Sequence, residues 1–249
     1  MALLADMNVR KPLVLIALAG MMISGCSSPD GPFDAGDPYE ATNRQVHEFN
    51  KALDRNVLQP TSEVYVAAVP SPARTGISNG VTNLQQPLIF VNHVLQGDVQ
   101  DAGSTFFRFG MNTVFGLGGV LDPATDAGIF DRPTDFGETL AVWGVGRGAY
   151  IELPVLGPST ARDTVGRVVD FVIDPVDILI DGDAASYLTA AELANLMQVR
   201  QDLARVIDAL YYESADSYTA TRIAYLQNRS RNVNNGLDEA QLEDPYAFE

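Results

Sequence analysis

Residues 73–96 read ARTGISNGVTNLQQPLIFVNHVLQ, and within them Ile77, Val81, Leu84, Leu88, Val91 and Leu95 recur at alternating intervals of four and three. That spacing returns side chains to one face of an α-helix, so the segment predicts a long amphipathic helix with these six on its core side. Pro87 removes one backbone donor and its ring crowds the preceding turn, so two helical pieces with a kink or break near Gln86 are expected. Gly97-Asp98 ends the second piece.

The same period continues outward. Upstream, Asp37-Pro38 reads as an N-cap followed by proline in a first helical turn. Val46, Phe49, Leu53 and Val57 then share one face of a helix running to about Leu58, and Pro60 is expected to stop it. Downstream, residues 106–121 (FFRFGMNTVFGLGGVL) are apolar almost throughout, with Arg108 as the single charge and four glycines. The stretch is shorter than the ~20 residues a membrane-spanning helix needs. By periodicity alone it reads as a buried core helix, and the alternative is a segment lying in or dipping into a membrane.

Residues 135–158 are rich in glycine, aromatics and proline and predict a long structured loop with short helical or extended pieces. Ser159 is a candidate N-cap for a helix carrying Val165, Val168, Val169 and Val172, ended by Asp174-Pro175. Ile178-Leu179-Ile180 fits either a short strand or a helical turn. From about Thr189 to Asn228, Leu193, Leu196, Met197, Val199, Leu203, Val206, Ile207, Leu210 and Tyr211 form a broad apolar stripe, with Ser214–Ser217 as a candidate break. These patterns together predict an all-α domain.

The ends carry a different kind of information. Arg10-Lys11 followed by the apolar run Pro12–Ile23 reads as a bacterial export signal. It runs into Ile23-Ser24-Gly25-Cys26, a lipobox whose thiol, on the only cysteine of the chain, would take a diacylglyceryl group. Two or more acyl chains make a lasting anchor where one does not. Ser27, rather than an aspartate, follows the cysteine, which favours outer-membrane sorting. The expected organisation is a signal peptide at 1–25, a flexible tether at 26–36, a helical domain at 37–232 and an acidic, disordered tail at 233–249.

Charge and motif searches exclude several functions. With 32 acidic against 16 basic residues and a formal charge of −16, the chain repels nucleic acid. The two histidines, His47 and His93, have no second ligand four residues on, so no metal site is expected. The Gly-x-Ser-x-Gly match at Gly76-Ile77-Ser78-Asn79-Gly80 lies inside the predicted helix and not at the strand-to-helix turn that an acyl-hydrolase elbow requires. Gly144-Val145-Gly146-Arg147-Gly148 and Gly116-Leu117-Gly118-Gly119 lack the strand–turn–helix setting of phosphate loops. No enzyme activity and no cofactor are expected.

Several blocks, in order, are individually distinctive: Asp37-Pro38-Tyr39-Glu40, Asn43-Arg44, Phe49-Asn50, Pro72-Ala73-Arg74, Val91-Asn92, Leu95-Gln96-Gly97, Arg108-Phe109, Asn112-Thr113, Gly116-Leu117-Gly118-Gly119, Asp135-Phe136-Gly137, Gly144-Val145-Gly146, Leu153-Pro154, Arg162-Asp163, Arg222, Ala224-Tyr225 and Arg229. From Asp37 to Arg229 the chain resembles the MlaA/VacJ family of outer-membrane phospholipid-transport lipoproteins. Gln85-Gln86 stands where that family often has acidic residues.

The resemblance implies a ring-like single domain of amphipathic helices lying in the periplasmic leaflet of the outer membrane around a central amphipathic channel. It implies removal of mislocalised phospholipid to a periplasmic carrier that feeds an inner-membrane ABC-type complex, and association with trimeric porins. It also shifts the reading of residues 106–121 toward the membrane. Phe106, Phe107, Phe109, Phe115, Gly116, Gly118 and Gly119 become a candidate membrane or gate segment, and Asn43, Asn50, Arg108 and Asn112 candidate channel or headgroup contacts.

Overall fold

The computed structural model describes residues 37–180 and 182–235. Cys26, the signal, the tether and the acidic tail beyond residue 235 lie outside them. The expected helical fold is observed, with one small hairpin as the only sheet among the described residues.

Helix α1 (Glu40–Leu53) starts after the expected position: Tyr39 rather than Asp37 is its N-cap residue, Pro38 lies before the helix, and Asp37 Oδ1 accepts the Tyr39 amide at 2.9 Å. Pro60 does not stop the chain. A wide π-helical turn at Asp54–Leu58 leads straight into α2 (Gln59–Ala68), and Pro60 sits in the first turn of α2, where its missing N–H goes unused. Pro87 likewise fails to divide the next helix. Helix α3 runs unbroken over Ser71–Gln96, and left-handed Gly97 closes it.

Asp98 caps α4 (Val99–Val114) by accepting the Asp101 amide at 2.9 Å. A tight turn at 115–121 leads to the short α5 (Pro123–Asp126). Helix α6 (Phe136–Val142) follows, then strands β1 (Tyr150–Leu153) and β2 (Gly157–Thr160), paired antiparallel with Tyr150 opposite Thr160 and Leu153 opposite Gly157. Thr160, one residue beyond the expected Ser159, caps α7 (Ala161–Ile173) through the Asp163 amide.

Asp174 then caps α8 (Pro175–Leu179), so Ile178 and Leu179 are helical. The last region is α9 (Gly182–Asp202), α10 (Ala204–Asp208), a second π turn at Ala209–Glu213 and α11 (Ser217–Asn235). The break at 214–216 falls where expected, and Leu203 adds another. Helix α3 packs along α4 and α9, while α6 lies on α7 and meets α11. Among the described residues, no helix is long and apolar enough to cross a membrane.

The polarity of these helices is inverted relative to the expectation. In α1 the buried residues are Asn43, His47 and Asn50, while Phe49 points outward at 52% exposure. In α3 the inward stripe holds Asn83, Gln86, Asn92 and His93 together with Ile89; of the six predicted core positions only Val81 is fully buried, and Leu95 is exposed. In α7 the buried positions are Asp163, Thr164 and Gly166 rather than the valines. Among the described residues, buried polar side chains outnumber buried apolar ones by twenty-two to seven. Soluble domains place large apolar residues inside and rarely bury charge. Here the helical period is as expected and the face is reversed.

Candidate functional site

Such an interior survives only if its polar atoms find partners, since an unpaired buried amide or charge costs a few kcal/mol. Asn43 and Asn50 meet this demand by treating β1 as a strand partner. Asn43 donates from Nδ2 to Asp37 (2.9 Å) and to the Tyr150 carbonyl (3.1 Å), and its Oδ1 accepts the Glu152 amide (2.9 Å). Asn50 donates to the Leu153 carbonyl (3.0 Å) and accepts the Val155 amide (2.7 Å). Both are buried, and both stitch α1 to the hairpin. In this structure their side-chain amides are engaged by the protein.

Between them lies a buried cluster that the sequence search did not assemble. The His47 ring sits between Glu152 (Nδ1 to Oε1, 3.4 Å) and Ser217 (Nε2 to Oγ, 3.1 Å), and is fully enclosed. Tyr150 donates its hydroxyl to Glu152 and stacks edge-on against Tyr218, which in turn donates to Asp37. Burial first, then the neighbouring Glu152 carboxylate, pushes the Tyr150 hydroxyl far above its ordinary value, so it stays a donor. A second knot gathers Arg229, which donates to Glu138 (2.8 Å), to Asp163 (3.2 Å) and to Asp135. Burial raises the Glu138 carboxyl above the usual range. Burial also acts to raise Asp163, but Arg229, Tyr225 and Arg162 outweigh it and hold that carboxyl below its ordinary value.

Arg108 and Asn112 face inward from α4, 5% and 4% exposed, and both hold Asp122. Arg108 donates to Asp122 Oδ2 (2.7 Å), to Thr125 Oγ1 (2.9 Å) and to the Ile129 carbonyl (2.7 Å). Asn112 donates to Asp122 Oδ1 (2.9 Å) and accepts the Ala124 amide (3.0 Å). Burial works to raise the Asp122 carboxyl, yet hydrogen bonds from Thr125, Arg108 and Asn112 carry it below the normal range. Arg108 is thus committed to a structural ion pair that ties the glycine-rich turn back onto α4.

That turn needs its glycines. A Cβ on Gly116 would lie 2.3 Å from the Asn112 carbonyl oxygen, and one on Gly119, whose φ is +99°, would lie 2.5 Å from Asn83 Cβ. The close approach throws the apolar side chains outward. Phe106, Phe107, Phe115 and Leu117 are 59–74% exposed, and Phe109 is half-buried. The rings of Phe90, Phe106 and Phe107 lie in succession at 6.1 and 5.8 Å. The buried core-helix reading of residues 106–121 is therefore overturned. One face of α4 is a polar interior wall, and the other carries exposed apolar side chains. Contiguous exposed apolar area of this kind marks contact with lipid or with another protein.

A cleft of about 490 Å³ opens between α1 and residues 214–218. Its two cations are already engaged: Arg44 pairs with Asp216 through both guanidinium nitrogens (2.9 and 2.8 Å), and Lys51 donates to Ser217 (3.2 Å).

The helices enclose a hydrogen-bonded polar interior and turn apolar side chains outward, the polarity of a surface that meets lipid or another protein. The family model described as MlaA lipoprotein matches residues 35–232, and the chain belongs to that family. It is 34% identical over 241 residues to the intermembrane phospholipid transport system lipoprotein MlaA of Shigella flexneri, covering 94% of this chain and 93% of that one. Identity and coverage are the same for the Escherichia coli (strain K12) protein of that name, and identity is 32% for the Haemophilus influenzae one. A solved chain described under "Structural basis for maintenance of bacterial outer membrane lipid asymmetry" superposes with a TM-score of 0.69 at 33% identity. The match covers 81% of this chain and all of that chain.

Proposed function

We propose that this protein is an outer-membrane lipoprotein that removes mislocalised phospholipid from the outer leaflet and passes it to a periplasmic carrier, maintaining lipid asymmetry. The carrier delivers to an inner-membrane ABC-type complex, and the body sits beside a trimeric porin in the periplasmic leaflet. The inverted polarity carries this reading. Moving a lipid between leaflets requires shielding its headgroup from hydrocarbon, where an unpaired polar group costs several kcal/mol. A ring of helices with polar inner walls and apolar outer faces supplies that shield without covalent chemistry. The Phe106–Leu117 surface meets the acyl chains, and the anchor on Cys26 keeps the body at the bilayer.

The test is surface labelling of outer-leaflet phospholipid in cells with and without the protein. More label in its absence is expected. Equal label would overturn lipid removal and leave a porin-associated scaffold in its place.

A further inference from the structure

Three potential ligands that are not regularly spaced in the sequence converge where α3 turns into α4. One ring nitrogen of His93 and one carboxylate oxygen each of Asp98 and Asp101 lie within 4.8 Å of one another. A search at four-residue spacing misses them, because the turn at Gly97 folds the second and third ligands back over the first. His93 is 4% exposed. Its Nε2 lies 2.9 Å from the Arg132 carbonyl oxygen. A carbonyl only accepts, so Nε2 carries the proton and Nδ1 holds the lone pair. That Nδ1 is buried and has no hydrogen-bond partner.

A second-sphere carbonyl on one ring nitrogen is the usual setting of a metal-ligating histidine, because it fixes the tautomer and raises the basicity of the other nitrogen. Two carboxylate oxygens and one ring nitrogen of His93 lie within 4.8 Å of one another, and the nearby Arg132 guanidinium reaches Asp101 only at 3.9 Å from a side chain 58% exposed. We propose that His93, Asp98 and Asp101 form a binding site for a divalent cation of the zinc class, with the imidazole excluding purely oxygen-seeking ions.

Zinc ligands stand about 2.0–2.2 Å from the ion and hence roughly 3.3 Å apart in a tetrahedron, so the site closes with side-chain rotations of about an ångström. Asp101, partly exposed, supplies both that freedom and the entry path. Asp98 uses Oδ1 for its cap. A bound ion would clip the α3–α4 turn to the segment carrying Arg132.

The test uses the untagged full chain in detergent, stripped with chelator and titrated with zinc against a chromogenic competitor. One zinc per chain at micromolar affinity or tighter is expected, with at least tenfold weaker binding in Asp98→Asn, Asp101→Asn and His93→Gln. Asparagine caps a helix as well as aspartate does, so Asp98→Asn separates metal loss from misfolding. Hundredfold excess calcium or magnesium should leave zinc in place. No uptake, uptake undiminished in Asp98→Asn and Asp101→Asn, or displacement by calcium would each overturn the proposal.

Discussion

Arg200 grips Asp54 with two parallel hydrogen bonds, Nε to Oδ1 at 2.7 Å and Nη2 to Oδ2 at 2.9 Å, and both side chains are 5% exposed. The pair joins the end of α9 to the π turn after α1, and Tyr212 adds a third bond to Asp54 at 2.7 Å. Breaking a buried pair by removing one partner strands the other charge and costs about 3–5 kcal/mol. Arg200→Met should therefore lower the denaturation midpoint sharply. Arg200→Met with Asp54→Leu should recover part of the loss, measured by urea titration in detergent.

The glycine turn gives a sharper contrast. Gly119→Ala places a methyl against Asn83 in a left-handed conformation and should destabilise by about 1–3 kcal/mol. Gly110→Ala, within α4 and with nothing within 4 Å of the new carbon, should be neutral or slightly stabilising. Thermal melts of the two variants decide whether the local crowding matters.

The outward phenylalanines should be dispensable for folding and needed for the bilayer. Burying one such side chain contributes about 1.5–3 kcal/mol. Phe106→Asp with Phe107→Asp should leave the helical circular dichroism unchanged while cutting liposome co-sedimentation of an unlipidated form more than tenfold. Retained co-sedimentation would move the membrane contact elsewhere.

Cys26→Ala removes the proposed acyl acceptor and should release the protein from the membrane fraction. Fractionation followed by immunoblotting reads this directly; membrane retention at wild-type level would argue against lipid anchoring at that thiol.

Stability should respond to acid in two steps of opposite sign. Glu138 and Asp170 have folded values raised by burial, so their protonation favours the fold, and that contribution is lost as pH rises through the raised values. Asp163 has a lowered folded value, so its contribution is present above the ordinary value near 4 and is lost as pH falls through the lowered one. The denaturation midpoint should climb as pH falls from 7 through the raised values of Glu138 and Asp170, and drop on further acidification through the lowered value of Asp163. Glu138→Gln should flatten the climb.

Much of the helical content was legible because period survives any environment: Ile77 through Leu95 marked α3, and Asp174-Pro175 its later counterpart at the end of α7. Which face turns inward was not. A stripe of Ile77, Leu84 and Val91 opposite one of Gln86 and His93 is the same pattern whether water or lipid lies outside. Only the partners decide, and those are remote: Asn43 meets Tyr150 and Asn92 meets Asp170. Four-residue strands were too short to show alternation. Pro60 and Pro87 misled because one took a first-turn position and the other was absorbed within a helix held by neighbours.

The π turn at Asp54–Leu58 has a consequence for how this chain tolerates changes of length. Ser62 is buried on the same side as Asp54, although eight residues at about 100° each would leave it about 80° away. The wide turn absorbs one residue, about 100°, and brings Ser62 back to within about 20°. The segment therefore carries a spare residue that corrects phase. Deleting Asn56 should preserve the inward register of both helices, but it would convert Pro60 from a first-turn residue into an interior one. Loss of the spare residue is then tolerated only together with Pro60→Ala, so the two positions constitute a single unit of variation.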